Sequence, residues 1–216
     1  MAEAAEGKPV SRGAEASIRA VEWLGWSAYL KDREAKTYRP KSLDERLRKE
    51  RTRTEVRLLV EARRLGVRTP IVYDLDLVKH RIILEALPGP TLKAVLDANL
   101  TDPAPLAVPV RAFGKALGTL HAGGISHGDL TSSNVMFPDG PGGLPAFIDL
   151  SMGSRSPGVE ELAIDLHLVE EDLRALHPKG DDLLTSFFEG YLEGNPAGAA
   201  AVRTRAKEIR GRVRYA

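Results

Sequence analysis

The stretch ISHGDLTSSNVMF, residues 125–137, decides how this chain is read. Asp129 follows His127-Gly128, and Asn134 stands five residues later, where an apolar Val135-Met136-Phe137 run begins. Such a loop can be no more than a solvated turn whose Thr131, Ser132 and Ser133 satisfy backbone groups. The downstream segment argues for more. Val135 to Phe137, the turn PDGPGG and Ala146 to Ile148 read as a hairpin, and a hairpin returns its last residue beside its first. Asn134 at one foot and Asp149 at the other are thereby brought together, as two oxygen donors of the kind that Mg²⁺ takes.

The 216 residues, 43% of them hydrophobic, suffice for a sizeable core in one domain or two small lobes. The chain has no cysteine, so disulfides, a thiolate nucleophile and a cysteine-built zinc site are excluded, and any catalysis must use oxygen and nitrogen groups. Its start, MAEAAEGKPV, lacks a basic segment followed by an apolar one, and no run approaches the roughly 18 apolar residues of a membrane helix. The expectation is a cytosolic protein, with the nucleus as the other compartment and no membrane partner. The net charge of +1 hides a segregation. Residues 31–68 hold 14 Lys/Arg against 7 Asp/Glu, whereas residues 139–196 hold 3 against 12. The first block reads equally as solvated helix faces or as a nucleic-acid surface. The closing run Arg203, Arg205, Lys207, Arg210, Arg212 and Arg214 reads as an exposed tail for an acidic partner or RNA, having little core to serve.

Residues 16–31, ASIRAVEWLGWSAYLK, predict two or three short strands with Lys31 at the end of one. Leu43 to Leu65, closed by Gly66 and then Pro70, predicts a long charged helix with Leu58, Leu59, Ala62 and Leu65 as its apolar positions. Glu55 falls on that apolar stripe instead of the wet face. Left unpaired it would cost several kcal/mol, so a cationic partner is expected. Residues 71–87 predict a hairpin turning at Val78 to His80, and Pro88-Gly89-Pro90 then breaks the chain. That break divides an N-terminal lobe, 11–87, from a C-terminal lobe, 88–216. The second lobe reads as a short helix at 91–98, a Pro-rich loop at 103–109, and a helix bearing Val110, Phe113, Ala116, Leu117 and Leu120 that stops at Gly123-Gly124. After the loop and hairpin comes a helix at about 159–177, with Asp165 on the stripe of Leu162, Leu166, Val169, Leu173 and Leu176. An amphipathic segment at 181–193 and the basic tail from Val202 complete the pass.

In chain order these features are a strand lysine, a helix acid 24 residues later, a mid-chain break, an Asp129/Asn134 loop and a hairpin ending at Asp149. The loop matches the H-x-D-x-x-x-x-N spacing of the protein-kinase catalytic loop, with Asp149 where the aspartate of D-F-G would stand. The fold class expected is therefore α+β, a bilobal protein-kinase-like fold with a small β-rich N-lobe and a reduced, mainly helical C-lobe. A transferring phosphoryl group needs charge neutralisation and positioning more than covalent help. Lys31 would grip phosphates while Glu55 holds its ammonium; Asn134 and Asp149 would share Mg²⁺; Asp129 would orient or deprotonate the attacking hydroxyl or water. Asp165 reads as a brace for the loop backbone, and His121 and His127 as structural.

The chain also resembles one family, the PRPK-type atypical kinase of the KEOPS complex. The stretches that carry this are RGAEA at 12–16, LKDREAKTYRPKSLDERLRKERTRTEVRLL at 30–59, GVRTPIVYDLD at 66–76, GTLHAGGISHGDLTSSNVMF at 118–137, AIDLHLVEEDLRALHP at 163–178, and the terminal IRGRVRY. The resemblance implies a Mg²⁺- and ATP-dependent atypical serine/threonine kinase or ATPase that supports threonylcarbamoyl-adenosine modification of tRNA. It implies docking on a Kae-type (TsaD-like) subunit through the basic C-terminal tail and a small Cgi-type subunit at the N-lobe, with tRNA as a further candidate partner. The nucleotide-binding set it implies is Gly13, Ala14, Glu15, Lys31, Glu85, Leu87, Asn134 and Asp149. Two departures stand out: Asp149-Leu150-Ser151 replaces D-F-G, and RGAEASIR carries one glycine where many kinases have G-x-G-x-x-G. A separation of sixteen positions from Asp149 to Asp165, and 67 residues after Asp149, leave no A-P-E motif and little room for a peptide-docking lobe. The rival readings are a small-molecule phosphotransferase of the aminoglycoside-kinase type and a non-catalytic kinase-fold scaffold.

Overall fold

The computed structural model describes residues 8–12 and 15–213. Strands β2 (Ser17–Trp23) and β3 (Trp26–Asp32) form a hairpin closed by Leu24 and Gly25, both at positive φ (49° and 83°), the geometry in which a two-residue turn follows the twist of its strands. With β1 (Lys8–Arg12), β4 (Val72–Asp76) and β5 (Arg81–Glu85) they make an antiparallel sheet in the order β1-β2-β3-β5-β4. Strand alternation divides its faces. Val21, Ala28 and Ile83 cluster on one, while Ile82 and its register partner Lys31 turn to the other, where helix α1 (Lys41–Arg64) lies.

Helix α1 buries Leu58, Leu59 and Ala62 completely against that face, and each leucine contributes roughly 1.5–3 kcal/mol through removal from water. Its end is set by Gly66 at φ 82°: the Gly66 amide donates to Arg63 O and the Val67 amide to Ala62 O, the paired bonds of a Schellman stop, with Val67 tucked into the core. Leu65, expected on the apolar stripe, is the C-cap and is 37% exposed.

Beyond α2 (Leu92–Asp97) the chain is mainly helical, and the core formed under α1 continues into it without a gap. The expected Pro-rich loop is shorter than its composition suggests. A 3₁₀ turn covers 104–106 and α3 (Ala107–Ala122) starts at once, its first turn accommodating Pro109 because those amides need no intrahelical partner. Helix α3 and α5 (Gly180–Gly194) approach so closely that a Cβ on Gly114 would lie 2.0 Å from Phe187 O, and one on Gly190 2.0 Å from Arg111 O. Gly118 and Gly194, one turn on, extend the same seam.

The C-terminal run differs from its expectation as an exposed tail. Helix α6 (Ala199–Val213) packs on α4 (Val159–Leu176), burying Ala199, Val202 and Ala206. Three of its cations are used within the fold: Arg205 pairs with Glu160, Arg210 with Glu170 at 2.7 Å, and Arg203 lies 4.2 Å above the Phe188 ring. The small residues at 199, 202 and 206 recur at helical spacing, which lets a basic helix keep an apolar underside. Among the described residues no helix is long and apolar enough to cross a membrane.

Candidate active site

Four elements converge where the sheet meets the helical part. Lys31 comes from β3, Glu55 from the middle of α1, the 127–134 loop follows β6 (Ile125–Ser126), and Asp149 follows β8 (Ala146–Phe147). Lys31 Nζ lies 2.7 Å from Glu55 Oε1 and 2.8 Å from Asp149 Oδ1. The buried glutamate thus has the cationic partner its position demanded. It also has a second, which sequence reasoning does not name: Arg33 Nη2 donates to Glu55 Oε2 at 2.6 Å. Arg33 stands just past the end of β3, two residues from Lys31, and that spacing was the available signal.

The hairpin β7 (Val135–Met136) with β8 brings its feet together as expected: the Ile148 amide donates to Asn134 O at 3.0 Å, setting Asp149 next to Asn134 along the ladder. Asp149 sits in the left-handed region (φ 56°, ψ 61°), and Leu150 drops into the core. Ser151, in the place of the D-F-G glycine, donates its hydroxyl to Asp149 Oδ1 at 2.7 Å. Burial by itself would push the Asp149 carboxyl up, but the charge of Lys31 and its hydrogen bond, with that of Ser151, hold it well below the usual carboxylate range. Asp149 is thus ionised at neutral pH, with Oδ1 taken twice and Oδ2 without a partner among the described residues. Asn134 gives its Nδ2 to Asp129 O at 2.8 Å, so its amide oxygen is the free end. One carboxylate oxygen and one amide oxygen are hard donors that suit Mg²⁺. The described residues hold no cluster of three or more His, Cys, Asp or Glu, so a cation here would draw its other ligands from water and phosphate.

The loop that presents Asp129 is held from beneath by one carboxylate. Asp165, fully buried on α4, accepts the His127 amide at 2.7 Å and the Gly128 amide at 2.8 Å, and its Oδ2 also lies 3.1 Å from His121 Nε2. Burial would raise this carboxyl, but the hydrogen bond and charge of His121, with the charge of His127 and the His127 amide, together hold it below the ordinary carboxylate value, so Asp165 stays ionised. Behind it, Tyr191, whose hydroxyl burial pushes up to about 12, lies 2.8 Å from His121 Nδ1 and accepts from Asn195. The His127 ring, with burial pushing its pKa down, is neutral: Nε2–H donates to Ile148 O and Nδ1 accepts the Asp129 amide. Gly128 is required here, because at φ 82° a Cβ would meet Met152 O at 2.1 Å. A second brace, Asp172, accepts the Ser132 amide at 2.8 Å. It follows Asp165 by seven residues on one helix face, a spacing that could have disclosed it. Asp129 is therefore pinned by its backbone, while its carboxylate has no partner among the described residues.

The remaining residues of the expected set are less central. Glu15 pairs with Arg39 at 3.0 Å and with Arg51, fastening the chain before β2 to the start of α1. Glu85 turns its carboxylate to the Ile71 amide at 3.0 Å. Leu87 is buried, and its amide finds no acceptor among the described residues. Gly13 and Ala14 lie outside the described residues.

The fold is that of the protein kinases: the Rio2 kinase–ADP/Mg²⁺–phosphoaspartate complex from Chaetomium thermophilum superposes with a TM-score of 0.61 at 15% identity, over 100% of this chain and 71% of that one. Within that class the chain is a homologue of one part of longer proteins, each called a probable bifunctional tRNA threonylcarbamoyladenosine biosynthesis protein. It is 34% identical over 207 residues to that of Methanobrevibacter smithii, which is 95% of this chain and 36% of the relative. The Methanoculleus marisnigri protein is 39% identical over 206 residues (95% and 36%), and that of Halobacterium salinarum 39% over 204 (94% and 35%). The chain thus spans little more than a third of these curated relatives. No family model matches it.

Proposed function

We propose that the chain is a Mg²⁺-ATP-dependent atypical serine/threonine kinase or ATPase serving the machinery that makes threonylcarbamoyl-adenosine in tRNA. The observation that carries this reading is the convergence of Lys31 on Glu55 and Asp149 within 2.8 Å, from three separate elements, beside an Asp129 carboxylate left unpaired among the described residues. The names of the homologues, and the ADP and Mg²⁺ of the Rio2 complex, support it.

In this reading Asn134 and Asp149 hold Mg²⁺, which when bound neutralises charge on the phosphates. Lys31 neutralises the nucleotide's phosphates, and Glu85 and Leu87, with Gly13, Ala14 and Glu15, flank the nucleotide. Asp129 accepts the proton of the attacking hydroxyl or water as that oxygen bonds to the γ-phosphorus, the bond to the β-phosphate oxygen breaks and ADP leaves. The lobes divide at Pro88-Gly89-Pro90, as 11–87 and 88–216. A Kae-type partner meets the basic α6 through exposed Lys207 and Arg212, a small Cgi-type partner meets the N-lobe, and the setting is cytoplasmic or nuclear.

Phosphate release from ATP, measured with purified protein alone and with a Kae-type partner, tests the reading. Asp129→Ala should lower the rate by about 100-fold or more. Equal, slow release by wild type and Asp129→Ala under both conditions would leave a non-catalytic scaffold instead.

A further inference from the structure

We propose that Arg33 is a positioning residue for turnover: it holds Glu55 and α1 in place so that Lys31 is free to leave Asp149 for the nucleotide's phosphates. This rests on the nucleotide reading of the site given above.

Three observations carry it. Glu55 is completely buried, and its two oxygens are taken by different cations, Lys31 of β3 at 2.7 Å and Arg33 just past its end at 2.6 Å. Arg33 is itself only 2% exposed, and its main chain is fixed: its amide donates to His80 O at 3.2 Å and its carbonyl accepts from Arg48 at 3.4 Å. Its Nε is buried with no partner among the described residues, so the guanidinium keeps the Glu55 contact while leaving another donor unsatisfied. Glu55 is thus the one side-chain partner of the Arg33 guanidinium among the described residues.

The charges explain why the second cation matters. Lys31 and Arg33 balance Glu55 and Asp149, and of those two anions only Asp149, whose side chain is 37% exposed, opens to solvent. The Lys31–Asp149 contact is therefore the one that can exchange for a phosphate. Were Lys31 the sole partner of Glu55, any displacement of its ammonium toward phosphate would weaken the only compensation of a buried carboxylate. Arg33 removes that conflict. Its fork reaches Glu55 Oε2 while Lys31 takes Oε1.

The test uses the full chain with Arg33→Met, Arg33→Lys and, as comparator, Lys31→Met. MgATP-dependent phosphate release is measured together with binding of a fluorescent ATP analogue and amide hydrogen exchange across residues 52–59. Arg33→Met should lower kcat at least about tenfold while KM and analogue affinity stay within about threefold, and Arg33→Lys should recover most of the loss. Exchange within 52–59 should quicken in Arg33→Met and return toward wild type in Arg33→Lys. An unchanged kcat in Arg33→Met overturns the proposal. So does equal inactivity of both Arg33 variants accompanied by the same loss of global unfolding stability, which marks a purely structural residue. Should wild type neither bind nor turn over ATP, the enzymatic reading fails first. Exchange then decides alone: quickened and rescued at 52–59 keeps the anchoring of Glu55 by Arg33, and unchanged exchange sinks it.

Discussion

Glu55 and Asp165 pose the same physical problem and receive opposite answers. Each is a fully buried carboxylate on the apolar stripe of a long helix, Glu55 on α1 and Asp165 on α4. Glu55 is compensated by cations, Lys31 and Arg33, and one of these is shared with the half-open Asp149. Asp165 is compensated by backbone amides and by His121, in a bonded chain that runs on to Tyr191 and Asn195. Fixed dipoles from the backbone cannot be exchanged for a ligand, whereas an ammonium shared between two carboxylates can. The difference separates a permanent brace from a contact that is free to change partners.

Asp165→Ala should break the brace and have the largest effect, stranding the two loop amides in a dry site and lowering unfolding free energy by about 3–5 kcal/mol in urea titrations. A loss under about 1 kcal/mol would mean that the loop finds other acceptors, and the contrast with Glu55 would go. Removing Asp172 should cost less, about 1–2 kcal/mol, since it satisfies one amide in a partly exposed turn.

Acid should act on the fold in two stages, histidines first and carboxylates second. Burial depresses the pKa of His127, and of His80, below the ordinary 6.5, so the unfolded chain binds more protons and stability should decline as pH falls below about 6.5. Asp149 is depressed from 3.8, so its share is complete above that value and is lost only as pH falls further toward its folded pKa. Thermal midpoints from pH 8 to 3 should therefore decline in two stages. Asp149→Asn should flatten only the lower stage, and a single stage near pH 4 would contradict the assignment. The smallest effect expected is that of Arg205→Ala at the exposed Glu160 pair, whose coupling a double-mutant cycle should find close to zero and salt should screen further.

Much of the site was legible because its signals are local. Glu55 announced itself by breaking an apolar stripe, and Asn134 and Asp149 by standing at the feet of one hairpin. The Gly66 stop and the Leu58-Leu59-Ala62 face follow from helical spacing alone. Arg33 was half legible: it stands two residues from Lys31, just past the end of β3, but that spacing gives a direction and no partner. The direction of the Glu85 side chain, away from Lys31 and toward Ile71, depended on how β4 and β5 pair.

The amino-acid order by itself determined the strand-lysine, helix-acid and hairpin-acid pattern, because periods of two and 3.6 residues and the closure of a short turn act over a few neighbours. Only the tertiary structure decided that the basic C-terminal run lies down as α6 on α4, and that Tyr191 reaches His121 across 70 residues of chain. It also decided that Glu55 has two cations and not one. Those outcomes depend on how closely helices cross, as at the glycine seam of α3 and α5, and on which charges must find partners once water is excluded.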